Sequence, residues 1–331
     1  MELHSFEFIV EAETAISHQS GSEGNHGVLM RKKARLADGS IADIPYITGD
    51  AFRHSLRTAA AIATLDAAGI LADPNLSEGA VRLLFSGGMV TGRGDAAIIR
   101  LEDYRRLCDI TPSLKLFGGC VDNGPREGCL RVDELNVLCE EMGRYVPGWA
   151  LDWAKEQGIA LLESCEYVEE QQRVRMDSLN RDSMQRLLSA PARKQLEARL
   201  AKREKAHETG DDKEAEEAKS SSMPRTFERF IMGTLFYARV SAYCYSPLDV
   251  DTLMATLGTF FLDPIIGGKR ATGHGRLRVL HGKQATVLRP SENANVLDLA
   301  APGQRIGQMF RAHVAERAED LRAFVSGEVN A

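Results

Sequence analysis

The order of strand-like and helical segments along the chain limits its fold more than any other feature. Residues 3–17 alternate apolar and polar side chains, as a half-buried strand does, and an N-cap at Thr48 starts a helix with regular apolar spacing. Residues 230–243 predict a long strand, Pro247 begins a second helix, and a glycine-rich loop leads to a strand at 277–280. With a strand pair from the middle of the chain, this order predicts an α+β fold with a ferredoxin-like (RRM-like) core.

The middle of the chain is too long for that core alone and predicts a large insertion. We expect the core over residues 1–165 and 223–290, a mostly helical, charged insertion at 166–222, and a linker with a C-terminal helix at 291–331. Residues 193–219 contain 16 charged residues, eight of each sign, which is typical of a solvated surface. The glycine-rich stretch at 19–27 predicts a mobile loop.

The chain is acidic overall, but its cations are concentrated in a few places. Its 41 Lys and Arg residues stand against 47 Asp and Glu residues, so a general affinity for polyanions is not expected. Residues 31–35 nevertheless form a basic cluster. Between Asp263 and Glu292 there are six cations and no acid: Lys269, Arg270, Arg276, Arg278, Lys283 and Arg289.

Other features of the composition exclude several classes of protein. No run of about 18 apolar residues occurs and the start of the chain does not resemble a signal peptide, so we expect a cytoplasmic protein with no membrane association. The six cysteines form no CxxC pair, which favours a reducing compartment. His18, His26 and His54 are too scattered to indicate a metal site, and we expect neither a metal nor a cofactor.

The glycine-rich loop has the composition of a phosphate-binding loop. Gly267, Gly268, Gly273 and Gly275 surround the pair Lys269–Arg270. Glycines let backbone N–H groups approach a phosphate, and the cations neutralise its charge. The spacing is not that of a P-loop, because no Gly-Lys-Ser/Thr opens a helix. The alternative is a flexible hairpin with solvated cations.

The start of the first helix is a second candidate anion site. Free N–H groups and the helix dipole behind Thr48 and Gly49 favour an anion, and Arg53 and Arg57 lie on one helical face. The alternative is structural: Thr48 caps the helix and the arginines are on the surface. Asp50 supports the alternative, since a carboxylate there competes with a phosphate.

Three segments, in order, resemble the motifs of the RAMP superfamily, and specifically the repeated backbone subunit of CRISPR effector complexes. Residues 44–57 (IPYITGDAFRHSLR) resemble its P-x-I-P-G-S-S-L-K-G-x-L-R motif. Residues 116–119 with 128–133 resemble its L-F-G and G-x-L-x-V-x-D segments, and residues 266–277 resemble its glycine-rich loop. The first motif departs from the pattern at Thr48, Asp50–Ala51, Arg53 and His54. The divergence and length are most similar to the type IV backbone subunit, with the type III subunit as the alternative.

The resemblance implies a non-catalytic subunit that binds a CRISPR guide RNA and holds it for pairing with a complementary target nucleic acid. Further copies of the chain would bind head-to-tail along the guide, together with other subunits of the effector complex. Contacts to phosphate and 2′-hydroxyl groups are expected, because a repeated subunit must accept any guide sequence. The implied RNA-binding residues are His18, Gln19, Ser20, Arg31, Lys32, Thr48, Gly49, Asp50, Arg53, Arg57, Arg173, Arg175, Met176, Arg181, Arg225, Gly267, Gly268, Lys269, Arg270, Thr272, Gly273, Gly275 and Arg276.

The resemblance also implies that the insertion at 166–222 corresponds to a thumb-like extension that lies across the guide. Arg173, Arg175 and Arg181 would then contact the RNA, with Met176 as an apolar wedge against a base. A plain surface hairpin is the alternative for its distal part.

Three other functions remain open from the sequence: a target-cleaving or guide-processing ribonuclease, a nucleotide-dependent enzyme, and a protein scaffold without nucleic acid. In target-cleaving relatives an aspartate precedes an arginine that matches Arg31, and counting back from Arg31 reaches Asn25 or His26, neither of which is a carboxylate. Glu23 is the only acid between Ser17 and Val28. We therefore expect no catalytic residue.

Overall fold

A computed structural model describes residues 1–23, 26–88, 101–121, 124–174, 189–195, 197–198, 224–286, 295–296 and 307–327. The chain forms two compact units. The first comprises Met1–His18, Leu29–Glu169 and Phe230–Ala331, and the second comprises Gln19–Val28 and Glu170–Arg229. Within the described ranges, no helix has both the length and the apolar character needed to cross a membrane.

The strands are β1 (Glu2–Ala12), β2 (Gln19–Glu23), β3 (His26–Leu29), β4 (Arg31–Arg35), β5 (Ile41–Ile47), β6 (Gly118–Val121), β7 (Gly124–Glu127), β8 (Leu130–Val132), β9 (Leu135–Val137), β10 (Val168–Val174), β11 (Pro224–Phe230), β12 (Leu235–Cys244), β13 (Leu277–Thr286) and β14 (Asn295–Val296). The α-helices are α1 (Gly49–Ala67), α2 (Glu78–Val81), α3 (Leu101–Ile110), α4 (Pro112–Phe117), α5 (Gly148–Glu156), α6 (Pro247–Leu262), α7 (Gln308–Glu316) and α8 (Ala318–Ser326).

One large antiparallel sheet organises the first unit. Its strand order is β14-β13-β1-β12-β9-β5-β4, and β8 also pairs with β12. Strand β1 pairs antiparallel with β12 and β13, while β8 and β9 pair with successive segments of β12. The core elements follow the chain order β1, α1, β8–β9, β12, α6, β13, so the fourth, first, third and second strands are neighbours in that order. This is the ferredoxin-like arrangement, and the predicted α+β fold is confirmed.

Helices α1 and α6 cover one face of this sheet. The rings of Phe52 on α1 and Phe260 on α6 meet edge to face at 5.4 Å, and Phe8 on β1 contacts Phe261 at 5.1 Å. Phe8 and Phe52 are almost completely buried. These aromatic contacts fix α1 against the centre of the sheet.

Helix α5 covers the opposite face. Trp149 Nε1 donates a hydrogen bond of 2.8 Å to Glu7 on β1, and its ring lies 6.0 Å from Tyr237 on β12. His281 on β13 lies between Trp149, at 5.6 Å, and Trp153, at 6.0 Å. RRM domains bind RNA bases on exposed aromatic residues of their sheet. Here helix α5 covers the central strands β13, β1 and β12 on this face. RNA bases therefore cannot stack on aromatic residues of the sheet in that way.

A buried ion pair connects helix α4 to the start of α6. Lys115 Nζ lies 2.6 Å from one carboxylate oxygen of Asp249, whose side chain is 5% exposed, and Asp249 also accepts the backbone N–H groups of Tyr245 and Ser246. Burial acts to raise the pKa of Asp249, but these hydrogen bonds and the Lys115 charge outweigh it and lower the pKa. The pair therefore holds the Leu116–Phe117–Gly118 motif against the helical layer.

The C-terminal segment was predicted to contain one helix, and the structure has two. Arg317 leaves the helical conformation with φ −106° and ψ 15°, which separates α7 from α8. Phe310 and Val314 on α7 and Leu321 on α8 all pack into one buried cluster with the second half of α1. The break at Arg317 is accompanied by an ion pair of 2.7 Å to Asp109.

The second unit contains a four-stranded sheet in the order β10-β11-β3-β2. Strand β11 pairs in parallel with β3 through Thr226 with His26 and Phe227 with Gly27. The mobile loop predicted at 19–27 is thus wrong for its described residues, because pairing with β11 overrides the weak strand propensity of a glycine-rich segment. The start of the insertion predicted at 166–222 forms β10, most of its interior lies outside the described residues, and β11 follows it within the range predicted as core.

Candidate nucleic-acid interface

The N-terminus of α1 is held by a cap and by a histidine. The Thr48 hydroxyl accepts the Ala51 N–H at 3.3 Å, and the Thr48 backbone N–H donates to His18 Nε2 at 3.2 Å. A backbone N–H can only donate, so His18 Nε2 is the unprotonated ring nitrogen. Burial lowers the pKa of His18 and favours the same neutral form. The predicted cap is confirmed, and His18 positions it.

The glycine-rich loop is hydrogen-bonded to Ser17, in the segment that follows β1. The Gly268 N–H donates to the Ser17 carbonyl at 2.8 Å. Gly267, with φ +78°, comes so close that a Cβ atom would lie 2.7 Å from the same carbonyl oxygen, and a Cβ on Gly275 would lie 2.0 Å from the Ile266 oxygen. Gly267 and Gly275 are therefore required by the packing of the loop itself.

The loop and the helix meet directly. Arg270 Nη2 donates to the Ser55 hydroxyl on α1 at 2.8 Å, and its Nε donates to the Gly267 carbonyl at 3.1 Å. Since Ser17 and His18 are neighbours, the segment that follows β1 contacts both the loop and the helix. We name His18, Thr48, Ser55 and residues 267–270 the loop–helix junction. It unites residues that are 215 positions apart in the sequence.

The outer part of the loop exposes its polar groups. Arg270, Thr272 and Gly273 are exposed, and the Thr272 hydroxyl donates to the Lys269 carbonyl at 2.9 Å. Lys269 adopts the left-handed backbone conformation, with φ +60°. Among the described non-glycine residues, it is the only one with a positive φ. This conformation costs a non-glycine residue about 1–2 kcal/mol.

Arg53 and Arg57 are hydrogen-bonded to the backbone on another side of α1. Arg53 donates to the carbonyls of Leu130, at 2.6 Å, and Phe117, at 2.7 Å, while Arg57 donates to those of Gly118 and Phe117, both at 3.0 Å. Burial lowers the pKa of both guanidinium groups, that of Arg57 to about 10. Both connect α1 to the Leu116–Phe117–Gly118 motif, and RNA contact by them stays a prediction.

Gly49 and Asp50 also have local structural explanations. A Cβ atom at Gly49 would lie 2.5 Å from the Val132 carbonyl oxygen, so glycine allows α1 to begin against strand β8. Asp50 is exposed in the first turn, where its carboxylate interacts favourably with the helix dipole. Their contacts with RNA stay predictions.

The basic cluster at 31–35 forms β4, the edge strand of the sheet. Lys32 forms an ion pair with Glu134 and lies 5.1 Å from the centre of the Tyr46 ring, whereas Arg31, Lys33 and Arg35 alternate on the exposed side. Charged side chains on an edge strand oppose unwanted strand pairing, which explains the cluster without RNA. The roles of Arg31 and Lys32 in RNA binding stay predictions.

The cationic window at 263–292 is partly neutralised by residues distant in the sequence. Arg276 pairs with Asp263 at 2.9 Å, Arg278 pairs with Glu11 on β1, and Lys283 lies 4.4 Å from the Trp149 ring. The local excess of positive charge that the sequence shows is thus reduced around β13. In the loop, the exposed Arg270 donates to the Ser55 hydroxyl and the Gly267 carbonyl, and anion binding by Lys269 and Arg270 stays a prediction.

The remaining predicted residues lie in the second unit. Gln19 and Ser20 begin β2, while Arg173 on β10 and Arg225 on β11 are exposed. These four residues belong to one four-stranded sheet. Arg175, Met176 and Arg181 lie outside the described residues.

Among the described residues, no group of three or more His, Cys, Asp or Glu side chains is arranged to hold a metal ion. Ser55, which receives the Arg270 hydrogen bond, was not selected from the sequence. Its spacing in the first motif is one signal in the sequence. Ser55 follows Thr48 by about two helical turns, which places both residues on the same side of α1.

Comparisons with known proteins add little to this geometry. No protein-family model matches the chain, and no curated protein matches it. A similar solved structure is a chain of a "Type IV-B CRISPR Complex", which is 16% identical, with 90% of this chain and 95% of that chain aligned and a TM-score of 0.49. We draw no functional argument from a likeness at this level.

Proposed function

We propose that this protein is an RNA-binding backbone subunit of an RNA-guided CRISPR effector complex, and that it is not itself a nuclease. Several copies would assemble head-to-tail along one guide RNA, with other subunits completing the complex. The guide would then pair with a complementary target strand, and the protein would act in the cytoplasm.

The observation that supports this proposal most is the loop–helix junction. The first and third motifs that resemble the RAMP superfamily are far apart in the sequence, yet Arg270 and Ser55 join them at 2.8 Å. The N-terminus of the 19-residue helix α1 contributes N–H groups and the positive end of its dipole. Lys269 and Arg270 add two cations beside it.

The chemistry of the junction suits a nucleic-acid backbone. Backbone N–H groups, a lysine and an arginine bind phosphate oxygens and read no base edges, as a subunit that accepts any guide must do. The strained φ of Lys269 supports a role for its side chain, because glycine would adopt the same conformation without strain. Because helix α5 covers the central strands on one face of the sheet, RNA binding at the loop–helix junction is favoured over RRM-like binding on the sheet.

The proposal is tested by expressing the chain together with a CRISPR array and measuring the ratio of absorbance at 260 and 280 nm after purification. We expect bound RNA of uniform length, and its loss in the Lys269→Ala/Arg270→Ala variant. Arg144→Ala, which removes an exposed arginine outside the junction, is the control and should retain the RNA. An RNA-free monomer with no affinity for RNA would support the scaffold function instead.

The non-catalytic role needs a separate assay. The assembled complex is incubated with labelled complementary RNA and Mg²⁺ or Mn²⁺, and we expect the target to stay intact. Regularly spaced fragments that disappear on Glu23→Ala would assign a ribonuclease to this chain.

A further inference from the structure

A cationic pocket lies on the side of α1 that carries Arg53. Its volume is about 480 Å³, and its walls include Arg53 on α1, Arg126 on β7, Arg131 on β8 and Tyr243 on β12. Residues 53 and 55 are two positions apart on a helix and so point about 200° away from each other. The pocket is therefore separate from the loop–helix junction, which α1 contacts through Ser55.

The arginines of this pocket are poorly neutralised. Arg131 lies 4.9 Å from the Tyr243 ring and Arg126 lies 5.8 Å from the Tyr104 ring, and neither forms an ion pair within the described part of the chain. Arg126 Nε is buried with no hydrogen-bond partner. Among the described residues that line the pocket, Glu127 is the only carboxylate, compared with three guanidinium groups. A buried donor without a partner is costly, which marks Arg126 as a side chain whose hydrogen bonds the described residues do not complete.

We propose that this pocket binds a phosphate group carried by a nucleotide. One guanidinium group can donate two parallel hydrogen bonds to the oxygens of a phosphate. Three converging arginines therefore suit a phosphate, which has several acceptor oxygens. The volume is larger than a single phosphate needs and lies in the range of small-ligand sites. Arg131 and Tyr243 already stack, which provides a flat surface for a base. The nucleotide is either free or part of a strand.

The site is tested on the full chain with two probes, AMP and a labelled single-stranded RNA. The variant is Arg126→Gln/Arg131→Gln, with Arg131→Gln alone as a second variant because that side chain is exposed. Arg53 is left intact, since its guanidinium holds the backbone. Arg144→Gln, which loses the same charge outside the pocket, is the control.

We expect the double variant to bind at least one probe about tenfold or more weakly than the control, because it loses charged hydrogen bonds to the phosphate. Loss of AMP binding alone identifies a free nucleotide, and weaker RNA binding with a smaller salt dependence identifies a strand phosphate. Both results support the site.

Equal affinity of the variant and the control for both probes would overturn the proposal. A change in self-association alone would also overturn it, because the pocket would then receive a carboxylate from a second copy. The test of this pocket is independent of the proposed function. We expect Lys269→Ala/Arg270→Ala to weaken RNA binding at the junction and to leave AMP binding in this pocket unchanged.

Discussion

Two pairs of cations next to helix α1 have different environments. Arg53 and Arg57 lie within the helix, are half-buried and donate to the carbonyls of residues 117, 118 and 130. Lys269 and Arg270 lie in a loop, where Arg270 is exposed and Lys269 adopts a strained conformation. Both pairs belong to motifs that suggest anion binding. The first pair is hydrogen-bonded to backbone carbonyls, whereas Arg270 of the second pair is exposed at the surface of the loop.

The difference shows that a cation in a binding motif has to be judged by its hydrogen bonds. Each guanidinium has five N–H donors, and Arg53 and Arg57 each use two of them on backbone oxygens that have lost contact with water. Removing such a side chain leaves buried acceptors unsatisfied, whereas removing an exposed one does not. The predictions below separate these two effects.

The largest expected effect is on stability. Arg57→Ala removes the donor to the Gly118 carbonyl and one of the two donors to the Phe117 carbonyl, which Arg53 still binds, and we expect the free energy of unfolding to fall by about 1–3 kcal/mol. Arg270→Ala should reduce it by less than about 1 kcal/mol, because the side chain is exposed. Urea denaturation measures both. Equal losses in the two variants would remove the distinction between the pairs.

A smaller effect concerns the pH dependence of the junction. Burial lowers the pKa of His18, so the unfolded state binds more protons than the folded state below the ordinary pKa near 6.5. The His18 contribution to stability is therefore complete above pH 6.5 and is lost as the pH falls through and below that value. We expect a larger drop in unfolding free energy between pH 7.5 and 5.5 for the wild type than for His18→Gln. Identical drops would show that His18 does not titrate as a buried, neutral acceptor.

The smallest effect separates the Lys269 side chain from its backbone. Lys269→Ala keeps the strained φ of +60°, while Lys269→Gly relieves it. We expect the glycine variant to be more stable than the alanine variant by roughly 0.5–1 kcal/mol. Both variants should lose the same RNA affinity, because both lack the ammonium group. RNA binding retained by the glycine variant would assign the effect to loop geometry.

The element order of the core could be predicted from the sequence, because each element has a strong local signal. Thr48 caps α1, and Ser246 with Asp249 forms a capping box at α6. Strands β2 and β3 could not be predicted, since β3 pairs with β11 more than 190 positions later and β2 in turn pairs with β3. Long-range pairing of this kind has no local signature.

The candidate site could be predicted only in part. The glycine-rich loop and the helix start were found by their composition, but the contact between Arg270 and Ser55 depends on the fold. The sequence did not distinguish the backbone-bound Arg57 from the exposed Arg270, because the carbonyls that Arg57 binds belong to Phe117 and Gly118, about 60 positions away. Arg126 and Arg131 were not selected for the same reason: their convergence requires the β6–β7 hairpin.

The central claim is that Lys269 and Arg270 bind RNA phosphates, and the salt dependence of RNA binding tests it most directly. The dissociation constant for single-stranded RNA is measured over a range of salt concentrations for the wild type, Lys269→Ala/Arg270→Ala and the control Arg144→Ala. If each cation neutralises one phosphate, the double variant lowers the slope of log affinity against log salt by about 1.4, equally for RNAs of different sequence. The control should keep the wild-type slope. A slope unchanged in the double variant, or a loss confined to particular RNA sequences, would contradict the account.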